Sequence, residues 1–198
     1  MCYVFYNFMK KFLLHTCCAP CSIAIIEELK SQFDVTVFFY NPNIHPQTEY
    51  LKRKEQVIKV CKQWGIKMID ADYDPQNWYE KVRGLVQEPE GGNRCSICFE
   101  MRMAKAVQYA KENNFDIWSS SLTFGRNKRS DVINPIGLSL QEKYSVEYYD
   151  EDWKKKGRQE RSNKLVGDMN IYRQDYCGCV YSLRDKKLWK AKIKEKGK

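Results

Sequence analysis

The chain has 198 residues, 43% hydrophobic and 30% charged, which excludes a disordered or membrane-embedded chain and suits one globular domain able to bury a core. Its 34 lysines and arginines exceed 25 acidic residues, a formal net charge of +9 that favours polyanionic partners such as nucleic acid. Part of this excess lies in residues 186–198, read as a basic tail that also serves solubility.

The opening MCYVFYNFMKKFLLH is apolar, but Asn7, Lys10 and Lys11 interrupt it. It lacks a basic start and a clean small-residue cleavage site, so it reads as neither signal peptide nor membrane span, and a cytoplasmic location without membrane partners is expected. Residues 1–8 read as an extension ahead of Met9, and residues 9–185 as a single metal-binding α/β unit. Lys11–His15 reads as a short buried strand. Ser22–Gln32 has helical periodicity with Ser22 as its cap. Val35–Tyr40 is a strand of branched and aromatic residues ended by Asn41-Pro42-Asn43. Thr48–Trp64 is an amphipathic helix closed by Gly65, and Lys67–Ile69 a third strand. Pro75–Val86 reads as helix, Glu88–Asn93 as turn, Ser96–Glu112 as helix and Asp116–Ser120 as strand. Asn127–Leu140 is expected to hold a helix interrupted at Pro135 and Gly137. Val146–Tyr149 is a short strand, Trp153–Gly167 is basic and polar, and Gly178–Lys194 is helical.

Strands and helices alternating at this spacing predict an α/β fold, a parallel sheet with helices on both faces. Ligand sites in such sheets lie at the carboxyl ends of the strands. The first strand is followed directly by Thr16-Cys17-Cys18-Ala19-Pro20-Cys21-Ser22, so its cysteines fall at the expected site.

Seven of the nine cysteines form three groups: Cys17-Cys18-x-x-Cys21, Cys95-x-x-Cys98 and Cys177-Gly178-Cys179. Clustered cysteines in a reducing compartment bind metal or do redox chemistry. Cys61 reads as a small core residue, and Cys2 belongs to the extension. A Cys-x-x-Cys pair brings two thiolates to one centre, and Cys95-x-x-Cys98 lies between Gly91-Gly92 and a helix whose N-terminus favours thiolate. Gly178 permits a turn that aims two sulfurs together, either at a metal or at each other as a redox disulfide. A structural zinc would leave three clustered thiols unexplained, and His15 and His45, the only histidines, do not stand in ligand spacing. An iron–sulfur cluster accounts for more of the sulfurs. Spacing leaves open which four ligate it. Cys95 and Cys98 are the firmest pair and Cys17 and Cys18 the expected complement, with Cys177, Cys179 and Cys21 left for an adjacent metal or a dithiol.

Three segments, HTCCAPCS, EGGNRCSICFEMR and YRQDYCGCVYS, resemble in order the QueH-type epoxyqueuosine reductases of bacteria, as do YNPNIHP, DYDPQNWY, SSSLTFGRNK and DWKKKGRQERS between them. The resemblance spans residues 10–184. It implies a HUP-type fold, similar to the adenine nucleotide α-hydrolase-like and PP-loop enzymes, in which the phosphate-binding Ser-Gly-Gly-x-Asp-Ser loop is exchanged here for Thr16–Ser22. It also implies a [4Fe-4S] cluster with a second, mononuclear iron nearby. The implied reaction is reduction of epoxyqueuosine to queuosine at the wobble base of tRNAs with GUN anticodons (Asn, Asp, His and Tyr).

Removing the epoxide oxygen takes two electrons and two protons, and no flavin, nicotinamide or cobalamin motif is evident. The expectation is that the second iron acts as a Lewis acid on the epoxide oxygen while the cluster delivers electrons from an external donor such as ferredoxin or flavodoxin. Asp72, Asp74, Tyr73 and Tyr176 are candidate proton donors or ligands. Arg94, Arg102, Arg126, Lys128, Arg129, Arg158, Arg161 and Arg173 are candidate phosphate contacts for an anticodon stem-loop. Trp78, Phe124 and Tyr181 are candidate stacking partners for a splayed base. Two other readings stand beside this one: a zinc-stabilised RNA-binding module, and a PP-loop-type tRNA thiolase, which would want the ATP loop absent here.

Overall fold

The central strand sets the architecture. Lys11–His15 forms β1, and its last four residues are all buried, as expected of a parallel strand covered on both faces. The computed structural model describes residues 9–196; the extension assigned to residues 1–8, with Cys2, and the last two residues of the tail lie outside the described residues. The other strands are β2 (Asp34–Phe39), β3 (Lys67–Asp70), β4 (Ile117–Ser120) and β5 (Glu147–Tyr148). Every pairing is parallel and the order is β3-β2-β1-β4-β5. The predicted α/β class and parallel sheet are thus present.

The helices are α1 (Ala19–Leu29), α2 (Gln47–Trp64), α3 (Pro75–Lys81), α4 (Asn93–Glu112), α5 (Ser130–Tyr144), α6 (Arg158–Asp168) and α7 (Val180–Lys196). Alternate residues of β1 enter opposite cores. Phe12 and Leu14 pack with Ile23 of α1, Val57 of α2 and Leu165 of α6. Leu13 packs with Met103 of α4 and Leu140 of α5. Each such buried side chain contributes about 1.5–3 kcal/mol, so this period-two division fixes β1 in the middle and helices on both faces. Among the described residues no helix is long and apolar enough to cross a membrane.

Several boundaries differ from expectation. α1 begins at Ala19, three residues before the predicted Ser22, with Pro20 in its first turn and Cys18 at the N-cap. Ser22 therefore lies inside the helix, and its Oγ donates back to Cys18 O at 3.0 Å instead of capping. α4 starts at Asn93, so Cys95-x-x-Cys98 occupies its first turns rather than preceding it. α5 runs through Pro135 without a break. Its buried Ile133 and Leu140 outweigh the one lost backbone bond, and Gly137 lets it sit directly on the Tyr148 ring, which a Cβ there would overlap. α3 ends at Lys81, short of Val86, and α6 occupies a segment read only as basic and polar. α7 continues without interruption past residue 185, through the start of the basic tail.

Candidate metal centre

The chain leaves β1 toward β2 on one side, while β4 lies on the other, so the carboxyl ends of β1 and β4 flank the point where strand order reverses. At that point β1 ends in His15 and turns through Thr16–Cys18 into α1. Cys17, Cys18 and Cys21 are at most 9% exposed, carry no disulfide, and hold their sulfurs within 4.8 Å of one another. Three anchors fix the turn. Thr16 N–H donates to Phe38 O at 2.9 Å. Asn41 Nδ2 donates to Thr16 O at 2.9 Å and accepts from buried Arg102 at 2.5 Å through Oδ1. His15 is spanned by Ser120 Oγ at 2.7 Å and Tyr40 O at 3.1 Å. Burial, then Arg102, drives the His15 pKa down to about 3, so the ring is neutral and acts as a strut.

Charge in this turn concentrates on Cys17. Thiol donation from Cys18 and Cys21 lowers its pKa, with help from the Lys128 ammonium 3.7 Å away. Burial pushes Cys18 up to about 12 and hydrogen bonding raises Cys21. Lys128 is itself buried; burial opposes its charge, yet the Cys17 and Cys177 sulfurs more than offset this and raise its pKa. An ammonium taken out of water costs several kcal/mol unless an anion accompanies it. A sulfur-borne negative charge is that anion.

The remaining four cysteines gather from two distant segments. Cys98, on α4, and Cys179, just before α7, share a buried cluster with Trp78 and Val82. Cys95 lies close enough to both to feel their charge, and Cys177 feels Lys128, Cys179 and Cys98 in turn. Burial raises the Cys95 thiol and pushes Cys177 up to about 12. The 177–179 loop is held by Arg53 of α2, only 2% exposed, a residue that sequence reasoning missed. Arg53 donates to Cys177 O at 2.9 Å and Tyr176 O at 3.1 Å and pairs with Glu49 at 2.7 Å. Gly178 sits at φ +134 with Arg53 and Ile44 so close that an added Cβ would meet both at 3.1 Å, and its carbonyl accepts from His45 N–H at 2.8 Å. A buried arginine four residues after a glutamate was the available signal, but one helix offers many such pairs.

Cys17, Cys21 and Cys177 open into a cleft of about 820 Å³. Of the candidate phosphate contacts, Arg126, Lys128 and Arg173 line it, joined by Arg53 and Lys154. The others do not line it. Arg94 is buried and donates to Leu85 O at 3.0 Å, Arg102 is committed to Asn41, and Arg129 pairs with Asp131 on the surface. Arg158 and Arg161 pair with Glu28 and Glu27 of α1. Of the candidate stackers only Phe124 lines the cleft; Trp78 is buried against His45, and Tyr181 lies beneath the Arg94 guanidinium. Tyr176 lines the cleft with its hydroxyl donated to His45 O at 2.5 Å. Tyr73 donates to Ile44 O at 2.7 Å, and Asp74 caps α3 by accepting Asn77 N–H at 3.1 Å. Asp72 and Asp74 act electrostatically on Tyr40 outside the cleft lining.

The donor set suits a thiolate-bound metal centre. N–H groups point at sulfur in both groups: Gln174 Nε2 at Cys18 (2.8 Å), Gly91 N at Cys95 (3.2 Å) and Ser182 N at Cys179 (3.3 Å). Such bonds stabilise cluster thiolates and tune their potential. Gln174 Oε1, at the same place, is buried without a partner among the described residues.

A family model described as "Epoxyqueuosine reductase QueH" matches residues 12–185. Curated relatives carrying that description include a Histophilus somni protein, 50% identical over 91% of this chain and 75% of its own length. A Haemophilus influenzae protein is 48% identical over 91% of this chain and 74% of its own, and a Thermotoga maritima protein 33% identical over 93% and 96%. Among solved structures, the U34-tRNA thiolase NcsA from Methanococcus maripaludis with its [4Fe-4S] cluster aligns over 83% of this chain and 67% of that one at 10% identity, with a TM-score of 0.43, too low to bear on fold or chemistry.

Proposed function

Because this chain belongs to the epoxyqueuosine reductase QueH family, and is therefore an oxidoreductase, we propose that it reduces epoxyqueuosine at position 34 of GUN-anticodon tRNAs to queuosine. One observation carries the reading: three buried, unbridged sulfurs meet at the switch point of a parallel sheet, and two of them, Cys17 and Cys21, open into a cleft lined by cations. A redox metal explains the sulfurs, and a polyanionic substrate explains the cations.

The reaction takes up two electrons and two protons and releases the epoxide oxygen as water, leaving an alkene. An iron–sulfur cluster with an adjacent iron, held among Cys17, Cys18, Cys21, Cys95, Cys98, Cys177 and Cys179, would supply Lewis acidity and pass on single electrons taken from an external donor such as ferredoxin or flavodoxin. The chain's own residues bind and orient. Arg126 and Arg173 at the cleft wall take anticodon-loop phosphates, and Phe124 offers a ring to the extruded base. Lys128 Nζ, beside Cys17, directs a hydrogen bond to the departing oxygen. Tyr176, Tyr73 and Asp74 already use their polar atoms within the frame, so they position the site rather than supply its protons.

Anaerobically purified protein is expected to be brown, to contain iron and acid-labile sulfide, and to convert the epoxide-bearing base of tRNA to its alkene with a low-potential reductant. Colourless protein holding only zinc, or consumption of ATP during turnover, would overturn the reading.

A further inference from the structure

Two carboxylates, Glu90 and Asp175, line a cleft that otherwise carries Arg53, Arg126, Lys128, Lys154 and Arg173. Asp175 is spoken for by Lys186, with Lys190 at 4.0 Å. Glu90 makes no ion pair or side-chain hydrogen bond among the described residues. Its neighbour Glu88 differs: the Glu88 carboxylate accepts Asn93 N–H at 2.8 Å at the start of α4. The loop between them is pinned on both sides. Arg94 donates to Leu85 O at 3.0 Å and to Glu88 O, and Gly91 N–H reaches Cys95 Sγ at 3.2 Å. Gly91, at φ +91, lies against Asn127 O across the cleft wall. Glu90 therefore stands on an anchored stretch of backbone, its exposed carboxylate lining the same space as Cys177, whose thiol it helps to raise.

A lone anion there works against phosphate binding, since like charges facing one another across an interface cost affinity. It becomes favourable when the ligand brings a cation to that spot. The proposed substrate base does so: a secondary amine, protonated at neutral pH, links its deazaguanine ring to the epoxide-bearing ring. Resting on that substrate reading, we propose that Glu90 receives this ammonium and thereby selects the modified base over guanine at position 34. Backbone phosphates meet the arginines, the linker cation meets Glu90, and the epoxide is carried past it toward the sulfurs.

The test measures equilibrium binding of the anaerobically isolated, iron-loaded full chain to one GUN-anticodon tRNA prepared in three forms. These carry guanine, 7-aminomethyl-7-deazaguanine, or the epoxide-bearing base at position 34. The wild-type chain should hold the two cationic forms about tenfold more tightly than the guanine form, as for a charge-assisted pair in a partly closed site. Glu90→Gln should bring all three within about twofold, and Glu90→Asp should restore part of the gap. Iron and sulfide content, measured alongside, should be unchanged because no hydrogen bond among the described residues joins the Glu90 side chain to a cysteine, and Gly91, not Glu90, holds Cys95. If Glu90→Gln keeps the wild-type discrimination, or tightens all three tRNAs equally, the pairing is overturned. If the wild-type chain already fails to distinguish the three, the substrate reading itself is at fault and the pairing falls with it.

Discussion

The cleft and the seam between α1 and α6 both hold buried or half-buried cations, and they treat them oppositely. In the seam, Arg158 is forked onto Glu28, with Nε 2.6 Å from one oxygen and Nη2 2.8 Å from the other, and lies over the Trp153 ring at 4.8 Å. Arg161 is paired in the same way with Glu27. In the cleft, Lys128 has sulfurs for counter-ions, and among the described residues Arg126 pairs with no carboxylate and Arg173 donates only to the neutral Asn163. A cation neutralised by a glutamate is spent on structure. One set beside thiolates or left facing open space retains its field for a ligand. Sequence proximity to the cysteine motifs does not separate these classes; the location of the acidic partner does.

Removing sulfur should have the largest effect. Cys18→Ala strips the turn after β1 and Cys98→Ala the group at the head of α4, and each is expected to abolish bound iron, acid-labile sulfide and epoxide reduction, assayed anaerobically by visible absorbance and sulfide analysis. Should one variant keep a full cluster, the other sulfur group alone holds it. Neither change should alter seam stability. Arg53→Met comes next, because Arg53 serves the cleft from a paired position. Losing it leaves Glu49 with the Tyr172 hydroxyl but no cation and strips two loop carbonyls of their donor, at a cost of about 3 kcal/mol, and iron content should fall while the Cys17–Cys21 turn stays intact. Arg53→Lys should not restore it, since an ammonium lacks the planar fork that reaches Glu49 and both carbonyls. Denaturant midpoints and iron stoichiometry check this, and wild-type iron loading in Arg53→Met would break the claim.

The fold was legible because its signals are local. The continuous apolar run in KFLLH, the branched run VTVFF and the αL Gly65 that closes α2 all follow from neighbours along the chain. The three sulfur motifs, being short and unusual, were equally readable. What escaped depends on partners more than a hundred residues apart. Arg53 meets Tyr176 and Cys177, Gln174 meets Cys18, and α1 glutamates meet α6 arginines. No spacing rule announces those pairs, which is why Arg158 and Arg161 read as phosphate contacts and α6 as mere basic surface. Pro135 misled for a related reason: tertiary burial of α5 outweighed a local helix-breaking signal.

Binding sharpens the contrast further. Arg126→Gln and Arg173→Gln should each weaken tRNA about tenfold and shallow the slope of log affinity against log salt by about 0.7–0.9 for each phosphate no longer neutralised. Arg161→Gln should leave affinity and slope within error. Filter binding across a salt series decides it, and equal responses in all three variants would erase the division between free and neutralised cations.

The smallest effect belongs to the seam, and pH gives it a sign. Arg158 and Arg161 hold the Glu28 and Glu27 carboxyls below their ordinary range, chiefly by hydrogen bonding. A depressed carboxylate stabilises the fold above its unfolded pKa and loses that contribution as pH falls through the lower folded value. Arg158→Met should therefore cost about 1 kcal/mol at pH 7, held to that size because Glu28 is partly exposed. The gap from wild type should narrow below about pH 4.5, where the glutamate in the unfolded chain begins to take up its proton. Thermal melts from pH 7 to pH 3 measure it, with tRNA affinity at neutral pH unchanged. A gap independent of pH would mean that Arg158 stabilises through its stack on Trp153 rather than through its charge.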